Sequence, residues 1–286
     1  MGSQEAPPAN APPRQAAAIL SVAGSDPSGG AGIQADLKTF AVLGVYGAAA
    51  VTCLTVQNTR EVRTVQPLAP SLVREQIALV LADLPVSHIK IGMVGTAEIA
   101  AAIGAALDGF AGEVVYDPVL RATAGRDLFE PAALEQLQQE VVARATVLTP
   151  NVPELEELSG VSCPDPGAVL EAGGLLLANN PGLRALVVKG GHFPSADEQV
   201  TDFLLLPASG QSPMVQTAAH PRLATRNSHG TGCTFASAFA AFHQQSGSYR
   251  TAFEQTVDFL HCLLTRSAGV SFGRGNGPLQ HHLCRR

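Results

Sequence analysis

The chain alternates short runs of apolar residues with longer segments in which apolar residues return every three or four positions. The short runs predict strands at residues 18–23, 48–56, 88–93, 114–116, 146–148 and 186–188. Apolar residues fill these runs without alternating with polar ones, which is typical of strands that are buried on both faces. The runs therefore predict a mainly parallel sheet inside the protein.

The longer segments predict helices between the strands, because their apolar residues share one helix face. They cover residues 31–43, 71–81, 97–107, 131–143, 153–158, 166–178, 231–243 and 249–269. Two further short segments, 200–206 and 214–217, are typical of antiparallel edge strands. Alternating strands and helices predict the α/β class, here a three-layer α/β/α sandwich around one sheet. We expect one domain over residues 17–286, following a disordered Pro/Ala-rich tail over residues 1–16.

Composition narrows the class of protein further. Hydrophobic residues make up 46% of the 286 residues and charged residues 15%, which supplies a large core and excludes a disordered chain. A transmembrane helix is excluded because no run of about 18 apolar residues occurs. The net charge of −6, without a basic patch, excludes nucleic acid and a membrane surface as partners. The five cysteines form no C-x-x-C pair, so we expect free thiols and a cytoplasmic protein.

Polar or glycine-rich motifs follow five of the predicted strands. They are GSD at 24–26, QNT at 57–59, DP at 117–118, TPN at 149–151 and KGGH at 189–192. Parallel sheets bind ligands beyond the carboxyl ends of their strands, where such motifs meet at one edge. The sequence therefore predicts one ligand site along this edge.

A glycine-rich turn joins the first predicted strand to the first helix, in AGSDPSGGAGIQADLKTF at 23–40. Glycines allow the backbone to approach a ligand closely. The spacing matches neither the dinucleotide-binding nor the Walker motif, so a plain strand–helix connection stays open as an interpretation. Asp36 is unusual here, because it places a carboxylate one turn into an otherwise apolar helix.

A second glycine-rich segment precedes a predicted helix and reads NSHGTGCTF at 227–235. Gly230 and Gly232 flank Thr231, so the backbone amides at the helix start can wrap around an anion such as phosphate. Cys233 lies in the first turn, where the field of the helix is expected to lower the pKa of its thiol. The alternative is a capped helix in which this cysteine is a small buried apolar residue.

Charged residues at other strand ends are candidates for a nucleotide site. Glu154 follows Pro153 at a predicted helix start, where it either stabilises the first turn or, with Asp117, orients Mg²⁺ beside phosphates. Lys189 ends an apolar strand, which is a costly place for a charge unless an anion such as a phosphate is its partner. The alternative for Lys189 is a side chain that runs along the sheet edge with its ammonium group in water.

Together these motifs resemble the hydroxymethylpyrimidine/phosphomethylpyrimidine kinase family of the ribokinase-like superfamily. The resemblance extends to KIGM at 90–93, TPNVPE at 149–154, VKGGH at 188–192, NSHGTGCTFASA at 227–238 and GNGP at 275–278, in family order over residues 17–286. It implies a ribokinase-like fold, a homodimer, and an enzyme that uses ATP and Mg²⁺. Its substrate would be 4-amino-5-hydroxymethyl-2-methylpyrimidine, phosphorylated first to the monophosphate and then to the diphosphate in thiamine biosynthesis.

The resemblance also implies a role for individual residues. Gly230, Thr231 and Gly232 resemble the anion hole. Cys233 stands where most of the superfamily has an aspartate base, so it would take the proton of the substrate hydroxyl. The remaining implied contacts are Gly24, Asp36, Gln57 and Met93 around the pyrimidine, Asn151 and Lys189 on the phosphates, and Asp117 and Glu154 on Mg²⁺.

Two segments depart from the family pattern, and rival functions stay open. Residues 92–95 read GMVG where Gly-Met-Leu is frequent. Residues 117–125 read DPVLRATAG and lack the lysine of a Lys-Ser-Gly found in many members, in the loop associated with the second phosphorylation. A pyridoxal or pyridoxine kinase, or an enzyme for both substrates, is the close rival, because pyridoxine also carries a hydroxymethyl group on a nitrogen heteroaromatic ring. A non-catalytic pyrimidine-binding protein is the rival from another class, although it would not need phosphate-binding residues. Cys233 in place of aspartate argues against a sugar or nucleoside kinase.

Overall fold

Six parallel strands form the centre of a nine-stranded sheet, with antiparallel strands at both edges. The computed structural model describes residues 17–120, 134–192, 198–208, 210 and 212–284. Its strands are β1 (Ala18–Ser25), β2 (Tyr46–Gln57), β3 (Val62–Pro67), β4 (Val86–Ile91), β5 (Glu113–Tyr116), β6 (Val147–Leu148), β7 (Ala185–Val188), β8 (Gln199–Leu206) and β9 (Met214–Pro221). They lie in the order β3-β2-β1-β4-β5-β6-β7-β8-β9. The antiparallel strands are β3, β8 and β9.

Helices cover both faces of the sheet. They are α1 (Gly32–Val42), α2 (Pro70–Asp83), α3 (Ala97–Leu107), α4 (Leu134–Glu140), α5 (Val152–Ser159), α6 (Pro166–Asn179), α7 (Thr231–Ser246) and α8 (Tyr249–Ser267). Along β1, Leu20 and Val22 belong to the core under α2–α6, whereas Ile19 belongs to the core under α1, α7 and α8. Burial of each such apolar side chain stabilises the folded state by about 1.5–3 kcal/mol relative to leaving it exposed. This arrangement confirms the predicted three-layer α/β/α sandwich.

The differences from the predicted elements have simple physical causes. Strand β3 was not predicted, because its residues are exposed or half-buried and form no apolar run. Helix α8 ends at Ser267 and α4 at Glu140, each slightly before its predicted end. Residues 1–16 and most of the departing loop at 117–125 lie outside the described residues. Of the helices within the described ranges, none combines the length and apolarity that crossing a membrane requires.

A buried histidine pair lies on β4 and α7, far from the carboxyl ends of the strands. His88 Nε2 is 3.0 Å from His243 Nδ1, and His88 Nδ1 is 2.9 Å from Ser87 Oγ. Burial, together with the neighbouring His243, lowers the pKa of His88 to about 4. An unfolded histidine titrates near 6.5, so the unfolded chain binds more protons between these two values.

We therefore expect the protein to become less stable as the pH decreases below about 6.5. The neutral His88 contributes stability that is complete above the unfolded pKa and is lost as the pH falls toward 4. Between pH 7.5 and pH 5, the titration of His88 is expected to lower the free energy of unfolding by about 2 kcal/mol. Urea unfolding at these two pH values measures the loss, and His88→Gln is expected to remove this share of it. An equal pH dependence in the variant would contradict the assignment.

Candidate active site

A cleft of about 980 Å³ opens at the carboxyl edge of the sheet. Eleven of the twelve residues proposed for the site from the sequence line it, and they come from seven separate segments of the chain. They are Gly24, Gln57, Met93, Asp117, Asn151, Glu154, Lys189, Gly230, Thr231, Gly232 and Cys233. The twelfth, Asp36, does not line it. The structure thus brings the five motifs together along this edge, and the roles given to their residues stay predictions.

The start of α7 faces the middle of this cleft. Gly230 precedes the helix with φ +80°, and a Cβ atom there would overlap the carbonyl oxygen of Gly30. A Cβ atom on Gly232 would lie 3.4 Å from both Asp117 Oδ2 and Lys189 Nζ. The first N–H groups of a helix have no partner within that helix, and they carry its positive partial charge. The loop therefore presents backbone donors beside an ammonium group, which is an arrangement that can hold phosphate oxygens.

Residues 277–281 hold this loop in place. The N–H of His229 donates to the carbonyl of Gly277 (3.1 Å), and the N–H of Gly277 donates to that of Arg226 (3.0 Å). Thr234 Oγ1 lies 2.9 Å from Nε2 of His281. Residues 277–281 thus fix both the approach to α7 and its first turn.

Cys233 is a thiol at neutral pH, which corrects one expectation from the sequence. Burial, together with Asp36 and Asp117, raises the pKa of Cys233 to about 11, although Lys90 and the N–H of Gly32 act in the opposite direction. The helix start was expected to lower this pKa. That expectation is wrong because the loss of solvation and the neighbouring carboxylates outweigh the helix field.

Lys189 and two carboxylates form the far side of the cleft. Lys189 Nζ lies 2.6 Å from Asp117 Oδ1 and 3.9 Å from Glu154 Oε2. The pKa of Lys189 is raised, because the two carboxylates outweigh its burial. Burial and Asp117 raise the pKa of Glu154 to about 7, against the effect of Lys189. Lys189 is therefore a partly buried ion-pair partner rather than a side chain extended into water.

Glu154 also has the structural role that was the alternative interpretation. Its Oε2 accepts from the N–H of Asn151 (2.8 Å), and Asn151 Oδ1 accepts from the N–H of Glu154 (2.9 Å). This reciprocal capping box satisfies two donors at the start of α5. The second oxygen of Glu154 is not used by the box, so capping and a cation contact are compatible.

The carboxylates of this side fit Mg²⁺. Asp117 Oδ2 is buried and has no hydrogen-bond partner among the described residues, whereas Oδ1 accepts from Lys189 and from Thr149 (3.2 Å). Within the described ranges no group of three His, Cys, Asp or Glu side chains could enclose a metal ion. Mg²⁺ commonly takes one or two carboxylates and fills its shell with water and substrate phosphates. Asp117 and Glu154 match that donor set.

Asp36 lies below the cleft, which corrects its placement at the pyrimidine ring. Its side chain is fully buried, and each carboxylate oxygen already accepts two hydrogen bonds. The donors are Lys90 to both oxygens, Ser237 to Oδ1 and Ser21 to Oδ2. These four hydrogen bonds leave no lone pair for a ligand. Asp36 lies on the apolar face of α1, which turns its carboxylate toward the sheet.

The ring side of the cleft is narrow and partly apolar. A Cβ atom on Gly24 would lie 3.2 Å from Met93 Sδ, so the backbone of β1 approaches this thioether closely. The carbonyl of Gly24 also contacts Gly32, whose N–H reaches the thiol of Cys233. Gly24, Gly32 and Cys233 therefore follow one another along this side of the cleft.

Two residues of this side were missed in the sequence. His229 Nε2 lies 2.8 Å from Asp26 Oδ2 and 3.5 Å from Gln57 Nε2, and all three residues line the cleft. Asp26 also accepts from the N–H groups of Ser28, Gly30 and Ala31. Hydrogen bonds from His229, from the Ser28 hydroxyl and from the N–H of Ala31 lower the pKa of Asp26 despite its burial. The signal was present, because an aspartate before Pro-Ser-Gly-Gly is typical of a turn that bonds its own amides.

Several known proteins are similar in sequence to this chain over most of its length. The profile of the phosphomethylpyrimidine kinase family matches residues 26–280. A hydroxymethylpyrimidine/phosphomethylpyrimidine kinase of Rhizobium meliloti is 39% identical over 265 residues, which are 93% of this chain and 97% of that protein. The thiamine biosynthesis bifunctional protein ThiED of Geobacter sulfurreducens is 38% identical over 93% of this chain, but the chain spans about half (52%) of its length.

A solved structure shows the same fold. The pyridoxal kinase of Staphylococcus aureus in complex with ADP superimposes with a TM-score of 0.81 at 29% identity, over 93% of each chain. The predicted ribokinase-like fold is confirmed by this likeness. The extent of the profile match and the identity to full-length relatives settle the family. The chain belongs to the phosphomethylpyrimidine kinase family.

Proposed function

We propose that this chain transfers the γ-phosphoryl group of ATP to the hydroxymethyl group of 4-amino-5-hydroxymethyl-2-methylpyrimidine, and then phosphorylates the monophosphate. One observation carries the proposal. The start of α7 opens between the narrow pocket at Gly24 and Met93 and the charged pair of Lys189 and Asp117. A binding protein for the ring alone would need only the first half of this cleft.

The ring pocket supplies contacts that an aminopyrimidine can use. The amide of Gln57 offers donors and an acceptor to the edge of the ring. Met93 supplies an apolar, polarisable surface for its face. A ring held by these two residues directs its hydroxymethyl group toward Cys233, along the contacts from Gly24 through Gly32.

The phosphate side supplies positive charge where negative charge develops. Phosphoryl transfer depends on positioning and charge stabilisation more than on covalent chemistry by the protein. Lys189 Nζ lies beside Gly232 at the start of α7, whose first N–H groups have no partner within the helix. Asp117 and Glu154 would hold Mg²⁺, which neutralises charge on the phosphates when it is bound. Asn151 closes this side and keeps Glu154 in place.

We further propose that Cys233 accepts the proton of the substrate hydroxyl. A thiol with a pKa of about 11 is ionised in only a small fraction of molecules at neutral pH. The rate is therefore expected to rise about tenfold per pH unit over the neutral to mildly alkaline range, because the thiolate is the active form. Cys233→Ala is expected to lose about 10²–10⁴-fold in rate and to flatten this profile.

Single-turnover assays across pH compare wild type with Cys233→Ala and Cys233→Ser. Serine is close to cysteine in size but carries a hydroxyl in place of the thiol, so it separates loss of packing from loss of the base. Near-normal turnover in Cys233→Ala would show that the backbone amides suffice and that the base assignment is wrong.

Phosphorylation of pyridoxal is the second candidate function. The likeness to the Staphylococcus aureus pyridoxal kinase favours it, because that protein shares the fold over 93% of this chain. Gln57 and Met93 would contact a pyridine ring as readily as a pyrimidine. The greater similarity to full-length pyrimidine kinases places this function second.

One experiment tests the proposal and its rivals together. The chain is incubated with Mg·ATP and either the pyrimidine alcohol or pyridoxal, and the products are identified by mass spectrometry. We expect the pyrimidine monophosphate first and the diphosphate later, with matching release of ADP. Phosphorylation of pyridoxal alone would select the second function, and binding of the pyrimidine without ADP release would select a non-catalytic protein. The homodimer and the cytosolic location stay predictions.

A further inference from the structure

A fully buried ion pair lies beside the first two turns of α7. Lys90 Nζ is 2.9 Å from Oδ1 and 3.0 Å from Oδ2 of Asp36, and neither side chain has any exposed surface. Lys90 is on β4, next to strands that carry cleft residues at their ends. A charge pair at such a place is not needed for stability, because apolar residues of similar volume commonly stabilise a core equally well.

Four elements meet at this pair. Ser21 Oγ on β1 donates to Asp36 Oδ2 (2.6 Å), and Ser237 Oγ on α7 donates to Asp36 Oδ1 (2.8 Å). Both hydroxyls are fully buried. Ser237 follows Cys233 by one helical turn, on the same face of α7. The bond from Ser237 therefore fixes the rotation and height of the start of α7 relative to β1 and β4.

The ammonium group of Lys90 also acts on the cleft electrostatically. Burial opposes its charge, but attraction to Asp36, Cys233 and Asp117 raises the pKa of Lys90, so it stays charged throughout the neutral range. In return Lys90 favours the ionised form of Cys233, against Asp36 and Asp117. Lys189 is the other cation that acts on this thiol. The charge of Lys90 thus lies below the loop that would receive the phosphoryl group.

We propose that Lys90, held by Asp36, is a positioning residue for phosphoryl transfer. Through Asp36 and Ser237 it sets the place of the α7 amides, and through its charge it favours the thiolate of Cys233. The proposal rests on the proposed function, because it assigns these residues a part in that reaction rather than a contact with substrate.

The decisive variant replaces the pair without leaving a buried charge. Asp36→Asn combined with Lys90→Met is nearly isosteric and neutral, so we expect it to fold with a melting temperature close to that of wild type. Its kcat is expected to fall by about 10²-fold, since a displacement of about 1 Å in a catalytic group costs that much. KM for the pyrimidine and for ATP is expected to stay within about twofold, because neither ligand touches the pair.

Two single variants isolate the link to α7. Ser237→Ala removes one hydrogen bond to a charged group and is expected to lower kcat by about tenfold. The matched control is Thr256→Val, which removes a buried hydroxyl of α8 that has no partner among the described residues. We expect this control to keep the kcat of wild type.

A readout without any substrate completes the test. The rate at which iodoacetamide alkylates Cys233 at mildly alkaline pH, followed by peptide mass spectrometry, reports its thiolate fraction. We expect the double variant to react several-fold more slowly, because the loss of Lys90 outweighs the loss of Asp36, which acts on the thiol in the opposite direction. Lys90→Arg, which keeps the charge, is expected to restore most of the alkylation rate.

The outcomes separate the two proposals. If wild type does not phosphorylate the pyrimidine, the proposed function fails, whatever the alkylation rates are. If wild type is active while the folded double variant and Ser237→Ala keep both kcat and the alkylation rate, Lys90 is merely structural. If the double variant does not fold, Ser237→Ala decides. A loss of kcat in this folded variant supports the positioning role, and an unchanged kcat overturns it.

Discussion

Gly230→Ala is expected to lower kcat by about 10²–10³-fold, the loss that follows removal of a preorganised donor to a developing anion. The φ of +80° at Gly230 disfavours any side chain, and a Cβ atom would overlap the carbonyl oxygen of Gly30. Relief of that overlap must separate the α7 loop from the glycine-rich turn after β1. The start of α7 then no longer lies in its place beside Lys189.

The same helix offers a matched control at its other end. Gly247 follows α7 with φ +66°, but a Cβ atom there meets nothing within 4 Å. Gly247→Ala therefore introduces a similar backbone strain of about 1–2 kcal/mol without a clash or a change at the cleft. Steady-state release of ADP gives kcat, and urea unfolding gives the stability of both variants. A folded Gly230→Ala with the kcat of Gly247→Ala would remove the α7 loop from the mechanism.

Lys189→Met is expected to reduce kcat/KM for ATP by about 10²–10³-fold, because it deletes the ammonium group beside the path of the phosphoryl group. It also leaves Asp117 and Glu154 facing each other without a cation. The pKa of Glu154 is then expected to rise further above about 7, since Lys189 lowers it more than the N–H of Asn151 does. Loss of stability accompanies the loss of activity, because an unpaired buried carboxylate is costly.

Lys38→Met is the control for the loss of a lysine. Lys38 is exposed, donates to the carbonyl of Gly29 at 2.6 Å, and does not line the cleft. Its kcat/KM for ATP is expected to stay within about threefold of wild type. Kinetics over a range of ATP concentrations, with unfolding curves for each variant, measure both effects. Equal losses in the two variants would assign the effect of Lys189 to general charge rather than to its position.

The layers of the fold were predictable because burial on both faces leaves a direct mark on a strand. The continuous apolar run at 18–23 became β1, whose successive side chains enter different cores. The edge strand β3 was not predictable by the same rule, because one side of it meets water and its residues form no run. The site at the carboxyl edge followed from parallel order alone.

The misplacement of Asp36 shows what the sequence could not decide. A carboxylate on an apolar helix face indicates either a ligand contact or a buried partner, and spacing alone does not separate them. The partner was visible as Lys90, a lysine between Ile89 and Ile91 in an apolar strand, but the pairing spans 54 positions and needs the fold to bring it together. The thiol of Cys233 was misjudged for a related reason, because the helix field can be inferred from a motif and the loss of solvation cannot.

The hydrogen bonds from residues 277–281 to the approach of α7 have a consequence for synthesis. A nascent chain on the ribosome lacks these partners until residue 281 has emerged, so the loop before α7 cannot take its final shape before that point. The sheet and helices α1–α6 can already be formed by then. Binding of phosphates at the start of α7 is therefore expected only after the sheet and these helices have formed.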